Sequence, residues 1–218
     1  MVRLVIFDFD GTLGDTRQNI IITLQRTMRI MGLDVRDEAT CAATIGLTLE
    51  DSFLKMYPDM SREDARKTVD VYRDIFYRSI EELQPELFPG VSDVVKELHS
   101  KGIILSVASS RTSPSLLLFL RNMGIADYFS LVLGADNVEH HKPHPEAVER
   151  TLRELGVDAK EAIVVGDMPL DVEMAHRAGV VAVGVSYGNA SREELVESSA
   201  DYVIDNILPL IDIVRSRM

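Results

Sequence analysis

The sequence predicts an α/β fold, a doubly wound parallel sheet interrupted by one all-helical insert, and three observations carry that prediction. Short apolar runs recur at residues 2–7, 103–108, 131–133, 162–165, 180–185 and 202–204, each bounded by turn residues. Their β-branched content and unbroken hydrophobicity fit strands covered on both faces. Amphipathic helical patterns at 91–100, 113–123, 145–155 and 169–178 fall between them, and such strand–helix alternation builds a parallel sheet. The third observation is a gap: from about residue 15 to residue 83 no strand pattern appears.

Taken in order, the first strand runs into an acid-rich turn at residues 8–16. Ile20, Ile21, Leu24, Met28 and Met31 then share one face of a helix, with Asp15 and Thr16 expected to cap its start. Short helices are expected near 37–45 and 48–56. Ala65, Val69, Tyr72, Phe76, Ile80 and Leu83 share a face of a longer one. Gly11 and Gly14 on one side, and Pro85 and Gly90 on the other, flank the insert. The expected division is a discontinuous Rossmann-like α/β core of residues 1–14 and 84–218 and a helical domain of residues 15–83.

The 218 residues include 35 acidic and 23 Lys and Arg side chains, a formal charge of −12. A chain of this length buries roughly 70% of the surface it exposes when unfolded. The acid balance opposes binding to a phosphate backbone, so nucleic acid is not an expected partner. Cys41 is the single cysteine and has no internal disulfide partner, which fits a reducing, cytoplasmic setting. No stretch of about 20 apolar residues is present, and the run at 2–7 is too short for a signal segment, so no membrane association is expected. Apolar surface on the insert is not separable from core in sequence, and no oligomeric state is assigned.

Four segments at predicted strand ends bear chemistry. Asp8-Phe9-Asp10-Gly11-Thr12 places two acids at i and i+2 in extended chain, so their carboxylates leave the strand on one side. Ligands of open α/β sheets bind there, although Asp-x-Asp alone reads equally as a solvated acidic turn. Ser109 and Ser110 follow the strand at 103–108, where a hydroxyl suits a phosphoryl oxygen but also suits an ordinary cap. Lys142 lies in the proline-stiffened His141-Lys142-Pro143-His144-Pro145 segment, a positioned ammonium or a plain surface lysine. Gly166-Asp167-Met168-Pro169-Leu170-Asp171 puts Asp167 before a helix and Asp171 one turn inside it; the plainer reading is a cap at Asp167 and a solvated Asp171. With Asp8 and Asp10 these acids form a dense carboxylate cluster, costly without a cation, and hard oxygen donors at a phosphate site favour Mg²⁺. His140, His141 and His144 lack the spacing of a zinc site, and no metal is expected there.

With those four segments in this order, the whole chain resembles the haloacid dehalogenase superfamily, and within it phosphoglycolate phosphatase-like hydrolases with a helical cap. The resemblance implies that Asp8 is a nucleophile forming an aspartyl-phosphate and that Asp10 is the acid/base. It implies a Mg²⁺ ion held by Asp8, Asp167 and the backbone carbonyl of Asp10, with Asp171 acting from behind. Ser109, Lys142 and the amides of Phe9 and Asp10, with Ser110 beside them, would bind the transferring group. The substrate implied is a small phosphorylated metabolite, phosphoglycolate by default.

Among relatives, dehalogenases and phosphonate-cleaving enzymes lack an acid in the place of Asp10. A β-phosphoglucomutase-like mutase is the main alternative. Such enzymes usually carry a His where Ile20 stands and a cation in the cap loop, here Thr44-Ile45-Gly46-Leu47-Thr48. A catalytically silent phosphate-binding module is the other. Arg17, Gln18, Ser110 and Arg111 adjoin motif residues, and read either as substrate contacts or as solvated helix-end residues.

Overall fold

The computed structural model describes residues 1–79 and 82–217. In chain order, β1 (Leu4–Phe7) and the two-residue β2 (Gly14–Asp15) precede α1 (Arg17–Ile30), α2 (Glu38–Ala42), α3 (Leu49–Met56) and α4 (Arg62–Arg78). Next come β3 (Glu86–Leu87), α5 (Val91–Ser100), β4 (Ile104–Ala108), α6 (Ser113–Asn122), β5 (Leu131–Leu133) and α7 (Glu146–Leu155). The chain closes with β6 (Ala162–Gly166), α8 (Pro169–Arg177), β7 (Val181–Val185), α9 (Arg192–Glu197), β8 (Tyr202–Ile204) and α10 (Leu210–Ser216). Two compact units result: Met1–Asp15 with Glu86–Met218, and Thr16–Pro85.

In the first unit six parallel strands lie in the order β5-β4-β1-β6-β7-β8, and β2 pairs antiparallel with β3. The chain winds outward from β1 through β4 and β5, then returns to fill the other side. The sheet therefore reverses its winding beside β1, where open α/β sheets leave a crevice for ligands. Phe7 pairs with Val107 on one side and Val165 on the other, so β4, β1 and β6 end within one residue of one another.

The strands are apolar throughout because both faces are covered. Leu4, Ile6, Ala162, Val164 and Ala182 pack in one cluster with Val148 of α7 and with Val172 and Ala175 of α8. Phe7 faces the other way, its ring edge-on to Phe129 at 6.3 Å. Each fully buried large aliphatic side chain contributes about 1.5–3 kcal/mol, which holds the sheet, and with it the strand ends, in place. The first strand is shorter than its apolar run, because Val2 and Arg3 donate their N–H groups to Arg217 and Glu161 outside the ladder.

In the second unit α1 buries Ile20, Ile21, Leu24 and Met28, and α4 buries Ala65, Val69, Tyr72 and Phe76, with the two helices packed together. Side chains of Asp37, Thr48 and Ser61 cap α2, α3 and α4. Two expectations are corrected. Asp15 lies in β2 opposite Glu86, and Thr16 occupies the cap position of α1 without a side-chain capping bond. The helical face also stops earlier than Leu83: the Ser79 N–H closes α4 onto Ile75 and Phe76. Leu83 lies beyond the helix, where its carbonyl accepts from Asn19 Nδ2 at 2.6 Å; Ile80 lies outside the described residues. No described helix is long and apolar enough to cross a membrane.

Candidate active site

Asp8 is the first residue past β1, seated beside β6 by an N–H bond to the Val165 carbonyl at 2.8 Å. The chain then folds tightly, Leu13 and Gly14 both donating to the Phe9 carbonyl at 3.0 Å, with Gly11 at φ +83. A side chain at Gly11 would run into the Asp167 carboxylate as well as strain the backbone, so glycine serves twice here. The Phe9 ring is core, stacked on Phe119 at 5.7 Å, and only its backbone is left for a ligand.

The end of β6 supplies Asp167 and Asp171. Asp167 is fully buried; its Oδ2 accepts from the Asn189 N–H at 2.7 Å and from Asn189 Nδ2 at 2.8 Å, and Oδ1 from the Thr12 hydroxyl at 3.3 Å. Asp171, 2% exposed, is the third residue of α8 and secures its start: its Oδ2 accepts from the Met168 N–H at 3.0 Å. Its Oδ1 accepts from Lys142 Nζ at 2.6 Å. The plainer reading, with Asp167 capping and Asp171 solvated, does not hold: both acids are buried, and it is Asp171 that bonds the helix start. Lys142 arrives from the loop between β5 and α7, its side chain 5% exposed, and lies 2.7 Å from Asp8 Oδ1. That contact is an ion pair by distance, since Asp8 Oδ1 has no aligned hydrogen bond among the described residues.

Asp8, Asp167 and Asp171 each offer an oxygen within 4.8 Å of the others, all three residues being buried. One ammonium serves three buried carboxylates, and two of them, Asp8 and Asp167, are held above the ordinary carboxylate range. Burial pushes Asp8 up to about 7, with Lys142 opposing and Asp171 and Asp10 adding to the rise. Burial, then Asp171 and Asp8, hold Asp167 well above the usual carboxylate range despite the bonds from Asn189. Burial works against the Lys142 ammonium, yet Asp171 and Asp8 carry it above its ordinary value. An all-oxygen donor set of three buried carboxylates facing a single ammonium fits Mg²⁺ in hardness. Both oxygens of Asp171 are already engaged; Asp8 Oδ1 faces the Lys142 ammonium at 2.7 Å, and Asp167 carries only the long Thr12 bond on Oδ1.

At the end of β4, Ser109 is buried, its N–H bonded to the Leu133 carbonyl at 3.1 Å and its hydroxyl accepting from the Arg111 N–H at 3.3 Å. Ser110 is half-buried beside it. The Asp10 carboxylate stands apart from the triad, gripped by Arg111 with Nη2 to Oδ1 at 2.8 Å. His140 and His144 come closer to Glu146 than their spacing suggests, with possible ligand atoms within 4.8 Å. Their Nδ1 atoms bond to the Glu146 carboxylate and N–H at 2.9 and 3.2 Å, contacts that organise the start of α7.

Asn189, Thr12 and the grip of Arg111 on Asp10 were not read from sequence as parts of this site. The one signal for Asn189 is its place in a Gly-Asn turn after β7, the neighbour of the strand that ends in Gly166-Asp167.

A Rossmann-like sheet with buried acids and a lysine gathered at its switch point, and a serine at the neighbouring strand end, is the arrangement of a protein that handles phosphoryl groups. The chain belongs to the haloacid dehalogenase-like hydrolase family, whose model matches residues 5–185, and it is a phosphatase of that family. It is 36% identical over 214 residues to "Probable phosphatase IndB" of Dickeya dadantii (strain 3937), covering 97% of this chain and 93% of that protein. It is 32% identical to a phosphoglycolate phosphatase of Vibrio vulnificus (strain CMCP6), covering 98% and 96%. A haloacid dehalogenase-like hydrolase from Bacteroides fragilis superposes with a TM-score of 0.91 at 27% identity, covering 96% of this chain and all of that one.

Proposed function

We propose that the protein is a Mg²⁺-dependent phosphatase of a small phosphomonoester, acting through an aspartyl-phosphate on Asp8, with phosphoglycolate as first candidate. The buried Asp8–Lys142–Asp171 and Asp167 cluster at the switch point of the sheet is the observation that supports it. An Asp8 carboxylate oxygen attacks phosphorus; as the new O–P bond forms, the P–O bond to the alcohol breaks and Asp10 gives the departing oxygen a proton. Asp10 then takes a proton from the water that attacks phosphorus, the bond to Asp8 breaks, and phosphate leaves. Lys142, Ser109 and the amides of Phe9 and Asp10 bind the phosphoryl oxygens, with Ser110 adjacent. Asp171 acts through Lys142 by holding its ammonium. The Asp8 and Asp167 carboxylates and the Asp10 carbonyl would hold Mg²⁺, which when bound offsets phosphoryl charge. The phosphoglycolate assignment leans on the Vibrio vulnificus relative's name and on no contact seen in this site.

Phosphate release from a panel of phosphoglycolate, sugar phosphates and nucleotides, with Mg²⁺ and with chelator, tests the proposal. Metal-dependent release supports it, and the ranking names the substrate. No release, with glucose 6-phosphate formed from β-glucose 1-phosphate, overturns it in favour of a mutase. A second outcome is expected at Asn189. Asn189→Ala removes one of the two hydrogen bonds fixing Asp167 Oδ2, and should raise the Mg²⁺ concentration for half-maximal activity by about 10- to 100-fold. A metal titration of the two proteins reads this directly, and coinciding curves would remove Asn189 from the site.

A further inference from the structure

We propose that Arg111 is a positioning residue for Asp10, fixing the carboxylate that handles the leaving-group proton. The inference rests on the phosphatase reading above and adds a residue to it. Arg111 Nε lies 3.3 Å from Asp10 Oδ1 and 3.2 Å from Oδ2, and Nη2 lies 2.8 Å from Oδ1. The two side chains are only 10% and 12% exposed, so the pair is largely shielded from competing water. The guanidinium is itself held: Nη1 donates to Ser115 Oγ at 3.1 Å, and the group sits 5.0 Å from the ring centre of Phe119. Phe119 in turn stacks on Phe9, the residue between Asp8 and Asp10.

A chain of contacts thus runs from α6 to the turn after β1. A planar fork meeting both carboxylate oxygens sets the plane of the acid as well as its position, which a single ammonium does not do. Proton transfer needs that precision, because donor and acceptor must come within about 2.6–3.2 Å in the reacting geometry. Without Arg111, Asp10 would be a short side chain on a turn with its rotamers released.

The test compares two substrates in the Mg²⁺-loaded enzyme. An alkyl phosphomonoester such as phosphoglycolate needs a protonated leaving oxygen, whereas p-nitrophenyl phosphate releases a stable anion unaided. Arg111→Ala should lower kcat/KM, which reads only the steps through departure of the alcohol, for the alkyl ester roughly tenfold or more beyond any loss on the aryl ester, since general acid catalysis contributes at least that much. Arg111→Lys keeps the charge without the fork and should recover part of the ratio. Equal loss of kcat/KM on both substrates, or loss on neither, overturns the proposal, because a residue that only ties α6 to the turn does not distinguish leaving groups. Failure of both variants to fold, seen by thermal melting, also overturns it. Failure of the phosphatase reading would appear separately, as wild-type protein releasing phosphate from neither ester.

Discussion

Asp8→Asn is expected to lower kcat for any phosphomonoester by about 10³-fold or more, because an amide oxygen does not replace the attacking carboxylate. The same substitution should stabilise the metal-free protein. Asp8 is 4% exposed, shares its surroundings with Asp167 and Asp171, and faces one ammonium. Removing one of three crowded charges leaves Lys142 still bonded to Asp171. A rise of about 2–6 °C in Tm in chelator is expected, taking about 2–4 °C per kcal/mol for a chain of this size. Kinetics and thermal melting on one preparation check both halves. Retained turnover would remove Asp8 as nucleophile, and a lowered Tm would show that its charge is needed by the fold.

Lys142→Met should have the opposite effect on stability. Methionine keeps most of the volume of the stem, so the change removes the charge and leaves little cavity. Lys142 lies 2.7 Å from Asp8 and 2.6 Å from Asp171, and without it the three buried carboxylates face no cation of their own. Stripping one partner from a buried ion pair costs about 3–5 kcal/mol, which lowers Tm in chelator by about 6–20 °C. Mg²⁺ should restore a larger share of Tm in this variant than in wild type, since it supplies the missing charge. An unchanged Tm in chelator would show that the carboxylates do not depend on the ammonium.

These two expectations rest on residues legible in sequence in different degrees. Asp8 and Asp10 are plain in sequence as acids at a strand end, but both lie past β1, and Asp10 stands outside the buried triad that alternation would have it join. Lys142 and Ser109 carry no local signal that separates them from a surface lysine or a helix cap. Their order along the chain, after successive strands, is what distinguishes them. Asp171 was the ambiguous acid, and the Met168 N–H and Lys142 Nζ settle its placement by taking one oxygen each. At the start of α1 Thr16 takes the cap position expected of it but makes no side-chain capping bond, because a capping residue type does not guarantee one.

The α/β class, the helical insert and the acid-bearing strand ends follow from the chain alone, since hydrophobic period and turn chemistry are local properties. Folding sets the rest: β4, β1 and β6 end side by side, Asp171 is buried, and Asn189 and Arg111 hold Asp167 and Asp10. Arg111 and Asp10 are 101 residues apart and Asn189 and Asp167 are 22 apart. Contacts at such separations are set by how the sheet winds and how the helices pack on it, and leave no periodic trace in the chain.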